Sequence, residues 1–279
     1  MKTIGEVLKQ ATEFLSKKSI LHPRRQAEEL LALALNISRL EIYLHHDYPL
    51  VEGELARMRE YLKRSAKGEP WQYISGKIDF LNCEIRVDQR VLIPRPETEI
   101  LVDAILHKLP TKSLEIWDLC TGSGCIGIAL KKHRPDCTVA LSDISQEALE
   151  VAQENAHLNQ VSVEFFQGDL LGPFQGRQAD VIIVNPPYVS EKELAELDEG
   201  VKHWEPRLAL LGGIEGWEFY QRLSLTLKSY LCESGEAFFE IGKDQGEVIR
   251  SLFPLNLWSH LNIMQDWSGY DRFVSLKRS

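Results

Sequence analysis

Between residues 113 and 184 the sequence alternates between short apolar runs and longer amphipathic segments, and no other feature restricts the possible folds as strongly. Apolar runs rich in β-branched residues are typical of buried strands, and apolar residues at helical spacing are typical of helices. The predicted strands are Ser113–Leu119, Thr138–Leu141, Val161–Phe166 and Ala179–Val184, and the predicted helices are Cys125–His133 and Gln146–Leu158. This alternation predicts a doubly wound α/β fold with ligands at the carboxyl ends of its strands.

The remainder of the chain divides into a C-terminal continuation of this pattern and an N-terminal part without strands. Two or three further strands are predicted around Ala237–Ile241, Leu257–Met264 and Arg272–Leu276, with helices near Glu215–Leu231 and Asp244–Phe253. Upstream of about residue 68 the apolar spacing is helical, and Ser38 with Glu41 fits a capping box. We therefore predict a helical domain over residues 1–70, a β-hairpin linker over 71–93 and the α/β domain over 94–279.

The composition is that of a soluble globular protein. Of its 279 residues, 44% are apolar, which is enough for a large buried core. The net charge of −9 disfavours a broad attraction to phosphate backbones, so no direct nucleic-acid partner is expected. The five cysteines are scattered and lack C-x-x-C spacing, so neither a disulfide framework nor a metal site is expected. No apolar run approaches the about 20 residues that span a bilayer. We expect a reduced, cytoplasmic protein with no membrane partner.

A glycine-rich loop follows the first strand of the α/β part. Gly122, Gly124 and Gly127 satisfy the pattern G-x-G-x-x-G, and Asp143 follows about 20 residues later, as in a dinucleotide fingerprint. Glycines let the backbone approach a ligand closely, and an acidic residue at the end of the second strand can hold a ribose diol. These features suit any cofactor that contains adenosine.

Two further carboxylates favour S-adenosylmethionine over NAD as the adenosine cofactor. Asp118 precedes the loop and Asp169 follows the third strand. S-adenosylmethionine carries a sulfonium and an ammonium but no pyrophosphate, so acidic groups suit it better than they suit NAD. The alternatives are a tight turn without a ligand, a bracing role for Asp118, and an N-cap role for Asp143 at the following helix.

The strand Ala179–Val184 ends on the unusual stretch Asn185-Pro186-Pro187-Tyr188. Prolines lack an N–H, so the sheet ladder ends here and leaves rigid carbonyl acceptors without partners in the strand. An amide or base amine is a weak nucleophile whose N–H groups need acceptors. The Asn185 side-chain oxygen and the Pro186 carbonyl can each accept one, and Tyr188 can lie against a planar acceptor.

The N-P-P-Y stretch resembles the motif of the class I S-adenosylmethionine methyltransferases that act on planar nitrogens. The wider sequence resembles the release-factor glutamine methyltransferases, the HemK or PrmC family, along essentially its whole length. The segments that carry this resemblance are Leu92–Glu99, Asp118–Leu130, Asn185–Val189, Glu205–Gly216, Glu240–Gly246 and Asp266–Phe273. The resemblance implies a seven-stranded, mostly parallel Rossmann-like methyltransferase sheet, with a small N-terminal helical bundle that recognises the substrate and a hairpin linker.

By this resemblance the enzyme methylates the side-chain nitrogen (N5) of glutamine in the Gly-Gly-Gln motif of peptide chain release factors. The implied cofactor is S-adenosyl-L-methionine, with S-adenosyl-L-homocysteine as product, and we expect a monomer. Cys120 stands where the family usually has glycine, and Leu170 where relatives can have an aromatic residue. Catalytic roles fall to Asn185 and Pro186, substrate contacts to Asn185, Pro186, Pro187 and Tyr188, and cofactor contacts to Cys120, Thr121, Gly122, Ser123, Gly124, Asp143, Asp169, Leu170 and Asn185.

Three alternative functions share parts of this pattern. A DNA or RNA base N-methyltransferase would have the same loop and N-P-P-Y stretch, but the charge distribution supplies no basic target-recognition region. An NAD-dependent oxidoreductase is favoured by the glycine pattern alone. A cofactor-binding module without activity would not need the N-P-P-Y stretch. The Pro94–Glu99 segment is expected either to line the acceptor channel or to act as a rigid joint between domains.

Overall fold

The computed structural model describes all 279 residues, in thirteen α-helices and eleven strands. The helices are α1 (Ile4–Ser16), α2 (Pro23–Leu35), α3 (Arg39–Leu44), α4 (Glu52–Ser65), α5 (Trp71–Ser75), α6 (Pro96–Lys108), α7 (Cys125–His133), α8 (Gln146–Leu158), α9 (Glu191–Glu196), α10 (Glu199–Trp204), α11 (Arg207–Leu210), α12 (Glu218–Tyr230) and α13 (Gly246–Leu252). The strands are β1 (Lys77–Phe80), β2 (Cys83–Arg86), β3 (Glu115–Leu119), β4 (Thr138–Asp143), β5 (Glu164–Gln167), β6 (Ala179–Val184), β7 (Val189–Ser190), β8 (Leu211–Gly213), β9 (Leu231–Glu240), β10 (Trp258–Gln265) and β11 (Asp271–Arg278).

The chain separates into two compact units. The first comprises Met1–Lys77 with Asp198–Trp204, and the second comprises Ile78–Leu197 with Glu205–Ser279. In the first unit, the apolar faces of α1 and α2 meet in a core whose most buried members include Leu15, Leu30 and Leu31. Burial of such side chains contributes about 1.5–3 kcal/mol each, and this stabilises helices that would be marginal in isolation.

The second unit contains the predicted seven-stranded sheet, in the order β10-β11-β9-β6-β3-β4-β5. All pairings among β9, β6, β3, β4 and β5 are parallel, and only β11 runs against its neighbours. The prediction of a mostly parallel, doubly wound Rossmann-like sheet is therefore confirmed. Since the chain moves outward through β3, β4 and β5 and then returns to β6, the strand order reverses between β3 and β6. Ligands of such sheets bind at this reversal.

Apolar strand residues and stacked aromatic rings hold the sheet between its helices. The strand residues of β6 from Val181 to Val184 are almost completely buried, which explains their continuous apolar sequence. Trp117 of β3 stacks on Phe174 with ring centroids 4.1 Å apart. This core fixes the carboxyl ends of the strands, and the loops after them carry the candidate site.

Some element boundaries differ from the predictions for local reasons. The strand predicted from Val161 begins at Glu164, because the Val161 amide donates to the Ala156 carbonyl and closes the end of α8. Strand β9 begins at Leu231, six residues before its predicted start. The first part of β9 contains polar residues and pairs irregularly with β6, so no apolar run marks it as a strand in the sequence. Residues 71–75 of the predicted hairpin form α5.

Two features of the structure concern cysteines and membranes. All five cysteines are free thiols, three of them buried. None of the helices has the length and apolar character that crossing a membrane requires.

Candidate active site

A cavity of about 310 Å³ lies in the second unit, at the carboxyl ends of the parallel strands. This volume is in the range of small-molecule sites, and the position matches the reversal of strand order between β3 and β6. Its wall is formed by Gln89, Arg90, Val91, Leu92, Pro94, Arg95, Thr98, Cys120, Thr121, Gly122, Ser123, Cys125, Ile126, Asp143, Ile144, Ser145, Glu147, Ala148, Gly168, Asp169, Leu170, Asn185, Pro187, Pro206, Leu208, Ala209, Phe219 and Arg222.

The glycine loop joins β3 to α7 and forms one side of the cavity. Gly124 precedes α7 with φ +81°, in the left-handed region that favours glycine. At Gly127 a Cβ would lie 2.7 Å from Leu141 Cδ1, so only glycine allows α7 to approach β4 this closely. The three-glycine pattern is therefore explained by one tight turn and one close helix–sheet contact, and by Gly122 at the cavity wall.

Cys120 and Leu170 also have left-handed backbones. Their φ angles are +56° and +48°, in a region that costs a residue with a Cβ roughly 1 kcal/mol or more. Both residues line the cavity. Since such a backbone favours glycine, Cys120 occupies a strained position beside the cavity.

Asp143 connects the loop to the end of β4. Its Oδ2 accepts from the Gly122 amide at 2.9 Å and its Oδ1 accepts from the Ser145 amide at 2.9 Å. The N-cap of α8 is Ser145, whose hydroxyl oxygen accepts from the Ala148 amide. Burial raises the pKa of Asp143, and the backbone donors oppose that rise. Each carboxylate oxygen keeps a second lone pair for a ligand in the cavity.

Asp118 is completely buried and stabilises the glycine loop through hydrogen bonds. Its Oδ2 accepts from the Thr121 hydroxyl at 2.5 Å and from the Gly127 amide at 3.0 Å, while its Oδ1 has no hydrogen-bond partner. Burial is the main cause that raises the pKa of Asp118 to about 7, and the two donors oppose it. The bracing role considered for this residue matches these contacts, and Asp118 is absent from the cavity wall.

This raised pKa predicts a pH-dependent contribution of Asp118 to stability. An unfolded aspartate titrates near pH 4. Between that pH and about 7 the folded protein binds more protons at this group, so its contribution to stability falls as the pH rises. Asp118→Asn keeps an oxygen for both donors but does not titrate. Relative to the parent, the variant is expected to gain on the order of 2 kcal/mol between pH 5 and pH 8, measured by urea unfolding. A stability difference that is constant with pH would contradict the assignment.

Asp169 and Leu170 follow β5 and also line the cavity. Asp169 forms an ion pair with Arg222 of α12, and both side chains are about half exposed. The Arg222 guanidinium also lies 5.7 Å from the centre of the Phe219 ring. Leu170 is aliphatic, but Phe219 of α12 lines the same cavity. Helix α12 therefore supplies an aromatic side chain at the site that Leu170 does not.

The N-P-P-Y stretch follows β6, and its polar side chains meet at one carboxylate. Asn185 Nδ2 donates to Glu240 Oε2 at 3.1 Å, and the Tyr188 hydroxyl donates to Glu240 Oε1 at 3.2 Å. Thr98 Oγ1 of α6 donates to the same Oε2 at 2.7 Å. A carboxylate only accepts, so the Asn185 amide must present its nitrogen to Glu240, and its Oδ1 remains free for another partner.

The Pro94–Glu99 segment lies beside the residues that follow α10. Arg95 Nη2 is 2.6 Å from Oε1 of Glu205, whose side chain is buried. The other oxygen of Glu205 accepts from the Ile93 amide at 3.1 Å. Pro94, Arg95 and Thr98 line the cavity together with Pro206. Of the two roles considered for this segment, lining the site is the one for which the structure supplies contacts.

Most of the predicted site residues lie around the same cavity. Gly124, Pro186 and Tyr188 are not part of its wall, since Gly124 starts α7, Pro186 is buried and the Tyr188 hydroxyl points to Glu240. Sequence reasoning did not identify Glu240, Thr98, Glu205, Phe219 or Arg222 individually. The one available signal was an acidic residue at the end of an apolar run, as at Glu240.

Comparison with known proteins identifies the class to which this fold and cavity belong. The sequence-family model named methyltransferase small domain matches residues 96–200. The sequence-family model named PrmC N-terminal domain matches residues 6–76. A methyltransferase from Pyrococcus furiosus of known structure is 16% identical, with a TM-score of 0.54 over 70% of this chain and 88% of its own, which shows a shared fold. The second unit is thus a Rossmann-like methyltransferase domain.

Curated relatives narrow this class to a family. The release factor glutamine methyltransferase of Chlamydia trachomatis serovar D is 40% identical over 98% of this chain and 93% of its own length. That of Bacillus subtilis strain 168 is 38% identical over 98% of this chain and 97% of its own. The chain belongs to the release factor glutamine methyltransferase family.

Proposed function

We propose that this enzyme transfers a methyl group from S-adenosyl-L-methionine to the side-chain amide nitrogen of a release-factor glutamine, leaving S-adenosyl-L-homocysteine. The observation that carries the proposal is the orientation of Asn185. Its nitrogen is held by Glu240, so its oxygen is the group that can accept an N–H from an amide entering the cavity. Membership of the glutamine methyltransferase family supports the same acceptor.

The residues around the cavity fit S-adenosylmethionine. A Cβ on Gly122 would meet no protein atom within 4 Å, so the loop backbone is open to a ligand. Asp143 offers carboxylate lone pairs suited to a ribose diol. Asp169 lines the same cavity, where its carboxylate is paired with Arg222. Cys120–Gly124, Asp143, Asp169, Leu170 and Asn185 are the residues we propose for this contact.

The residues of the chain contribute orientation and charge stabilisation to the reaction. When bound, the sulfonium supplies an activated methyl carbon, whose bond to sulfur breaks as a bond to the amide nitrogen forms. Asn185 Oδ1 accepts one N–H group at the cavity wall. We assign the second N–H group to the carbonyl of Pro186, which lies between the wall residues Asn185 and Pro187. Both oxygens stabilise the positive charge that develops on nitrogen. The nitrogen then becomes acidic and releases one proton to solvent, so no strong base is needed.

The target we infer is the glutamine of the release-factor Gly-Gly-Gln motif. Two glycines beside the glutamine leave no neighbouring side chains, which suits entry of a flexible backbone into a narrow cavity. We also infer that the helical part, predicted as residues 1–70, recognises the release factor. Its helix α3 exposes Leu40 and Leu44 by 70% and 69%, and such apolar exposure is typical of contact surfaces. A nucleic-acid substrate is the less favoured alternative, since the relatives that match 98% of the chain are release factor glutamine methyltransferases.

Mass spectrometry of purified release factors tests the proposal directly. After incubation with the enzyme and S-adenosylmethionine, we expect the mass of one methyl group on the Gly-Gly-Gln glutamine. Asp143→Ala is expected to lower methylation at low cofactor concentration, because a carboxylate at the cofactor site is lost. Asp244→Ala, which removes an exposed carboxylate on a loop after β9, serves as the control and leaves methylation unchanged. A methyl group found on RNA or DNA but not on release factors would refute the proposed substrate.

A further inference from the structure

Glu240 is the last residue of β9 and is 1% exposed. It receives hydrogen bonds from three separate parts of the candidate site: Thr98 of α6, Asn185 after β6 and Tyr188 three residues later. The carboxylate itself is absent from the cavity wall, whereas Thr98 and Asn185 belong to it. Glu240 therefore acts on the site through the residues that it binds, since it does not itself form part of the wall.

Burial of a lone carboxylate is costly, so this arrangement requires a reason. Burial raises the pKa of Glu240, and the donors Thr98 and Tyr188 and the nearby positive charge of Arg272 oppose that rise. Arg272 is itself engaged, since its Nε lies 3.2 Å from Asp266 Oδ2 and its Nη1 donates to the Ile241 carbonyl. Replacing a buried charge by an apolar group of similar volume is often neutral for stability. The carboxylate is thus better explained by what it orients than by what it stabilises.

The group that Glu240 orients is the side-chain amide of Asn185. A side-chain amide can rotate by half a turn and exchange its oxygen and nitrogen, and the two states place opposite groups toward the cavity. A carboxylate accepts from the nitrogen and repels the oxygen, so it selects one state. In the selected state the oxygen of Asn185 is available to an N–H donor in the cavity.

We propose that Glu240 is a positioning residue that holds Asn185 in the acceptor orientation and ties Thr98 and Tyr188 to the same point. The inference rests on the proposed function, because it concerns the residue proposed to receive the substrate N–H. It assigns to the E-I-G stretch at the end of β9 a role that the cavity wall alone does not reveal.

A double-mutant cycle between Glu240 and Asn185 tests this inference. Glu240→Met keeps the side-chain volume but removes both acceptor oxygens, and we expect it to lower kcat by about 10²-fold with cofactor affinity changed by less than about threefold. Because Glu240 acts through Asn185, the double variant with Asn185→Ala should be no slower than Asn185→Ala alone. Glu236→Met serves as the matched control, since this glutamate lies on the same strand and pairs with Lys277 near the surface.

A conservative variant separates positioning from a general structural role. Glu240→Gln can still accept from Asn185 Nδ2 with its oxygen while its amide nitrogen donates to the Tyr188 hydroxyl oxygen. We expect it to restore kcat to within about tenfold of the parent. If Glu240→Met does not fold, the same cycle is run with Glu240→Gln, whose loss should vanish in the Asn185→Ala background.

The outcomes distinguish this inference from the proposed function. Losses that multiply in the double variant would overturn the positioning role, as would a fall in cofactor affinity equal to the fall in kcat. In both cases the parent enzyme would still methylate release factors. Absence of methyl transfer by the parent itself would instead refute the proposed function.

Discussion

Asn185→Ala is expected to lower turnover of release-factor methylation by about 10²-fold or more. Affinity for S-adenosylmethionine should change by less than about threefold, because Asn185 is only one of the several residues proposed for the cofactor contact. The variant removes the oxygen proposed to orient the substrate amide. The cofactor loop after β3 and the carboxylate of Asp143 remain in place. Single-turnover kinetics with a purified release factor measures the chemical step, and isothermal calorimetry measures cofactor affinity.

Two further variants sharpen the test of Asn185. Asn185→Asp keeps an oxygen toward the cavity but loses the N–H that Glu240 accepts and places a second carboxyl group beside it. Like charges in one buried site repel, so this variant is also expected to be slow. Asn256→Ala removes an exposed asparagine from the loop before β10 and should behave as the parent. Turnover of Asn185→Ala equal to that of the parent would remove this residue from the mechanism.

Asn155→Ala is expected to destabilise the second unit by on the order of 3 kcal/mol or more and to weaken cofactor binding by about tenfold. Asn155 lies on α8 and is fully buried. Its Oδ1 accepts from the Arg86 amide at 2.7 Å, and its Nδ2 donates to the carbonyls of Arg86 and Ser123. The side chain thus pairs with β2 as a neighbouring strand would, and also anchors the cofactor loop.

The chain offers a matched control four residues further on, at the C-cap of α8. The Asn159 side chain forms the same pair of bonds with the backbone of Glu84, but it has no bond to the cofactor loop. Asn159→Ala should therefore cost about 1 kcal/mol of stability and leave cofactor affinity unchanged. Urea unfolding and calorimetry on both variants separate the two effects. Equal cofactor affinity in both variants would show that the Ser123 contact does not hold the loop in its binding conformation.

The charge distribution of the site explains why asparagine amides occupy positions 155 and 185. The carboxyl groups of Asp118, Asp143 and Glu240 are buried to different degrees, and burial raises the pKa of each. Neutral amides can satisfy backbone groups and orient ligands there without adding a further charge to desolvate. Asparagine also presents a donor and an acceptor at once, which a carboxylate does not.

The α/β part was predictable because its patterns are local. A strand such as β6 is a continuous apolar run, and a helix such as α8 repeats its apolar residues every three or four positions, so periodicity identifies both. The short elements between Tyr188 and Gly213 were not predicted. Strands β7 and β8 have only two and three residues, too few for any periodicity to appear.

The candidate site was predictable only where its residues are adjacent in sequence. The glycine loop and the N-P-P-Y stretch are contiguous, and parallel topology brings both to one edge of the sheet. Glu240 is 55 residues from Asn185 and 142 from Thr98, so no local pattern connects them. The left-handed backbone of Cys120 was likewise not apparent from the residue type.

The sequence by itself determined the class of fold, the loop that suits an adenosine cofactor and the motif that suits a planar nitrogen, because periodicity and residue chemistry act over a few neighbouring positions. Only the tertiary structure decided which way the Asn185 amide points and what holds the loop at Ser123. Those choices depend on donors and acceptors from distant segments, and a buried polar group must find its partner wherever the fold places one.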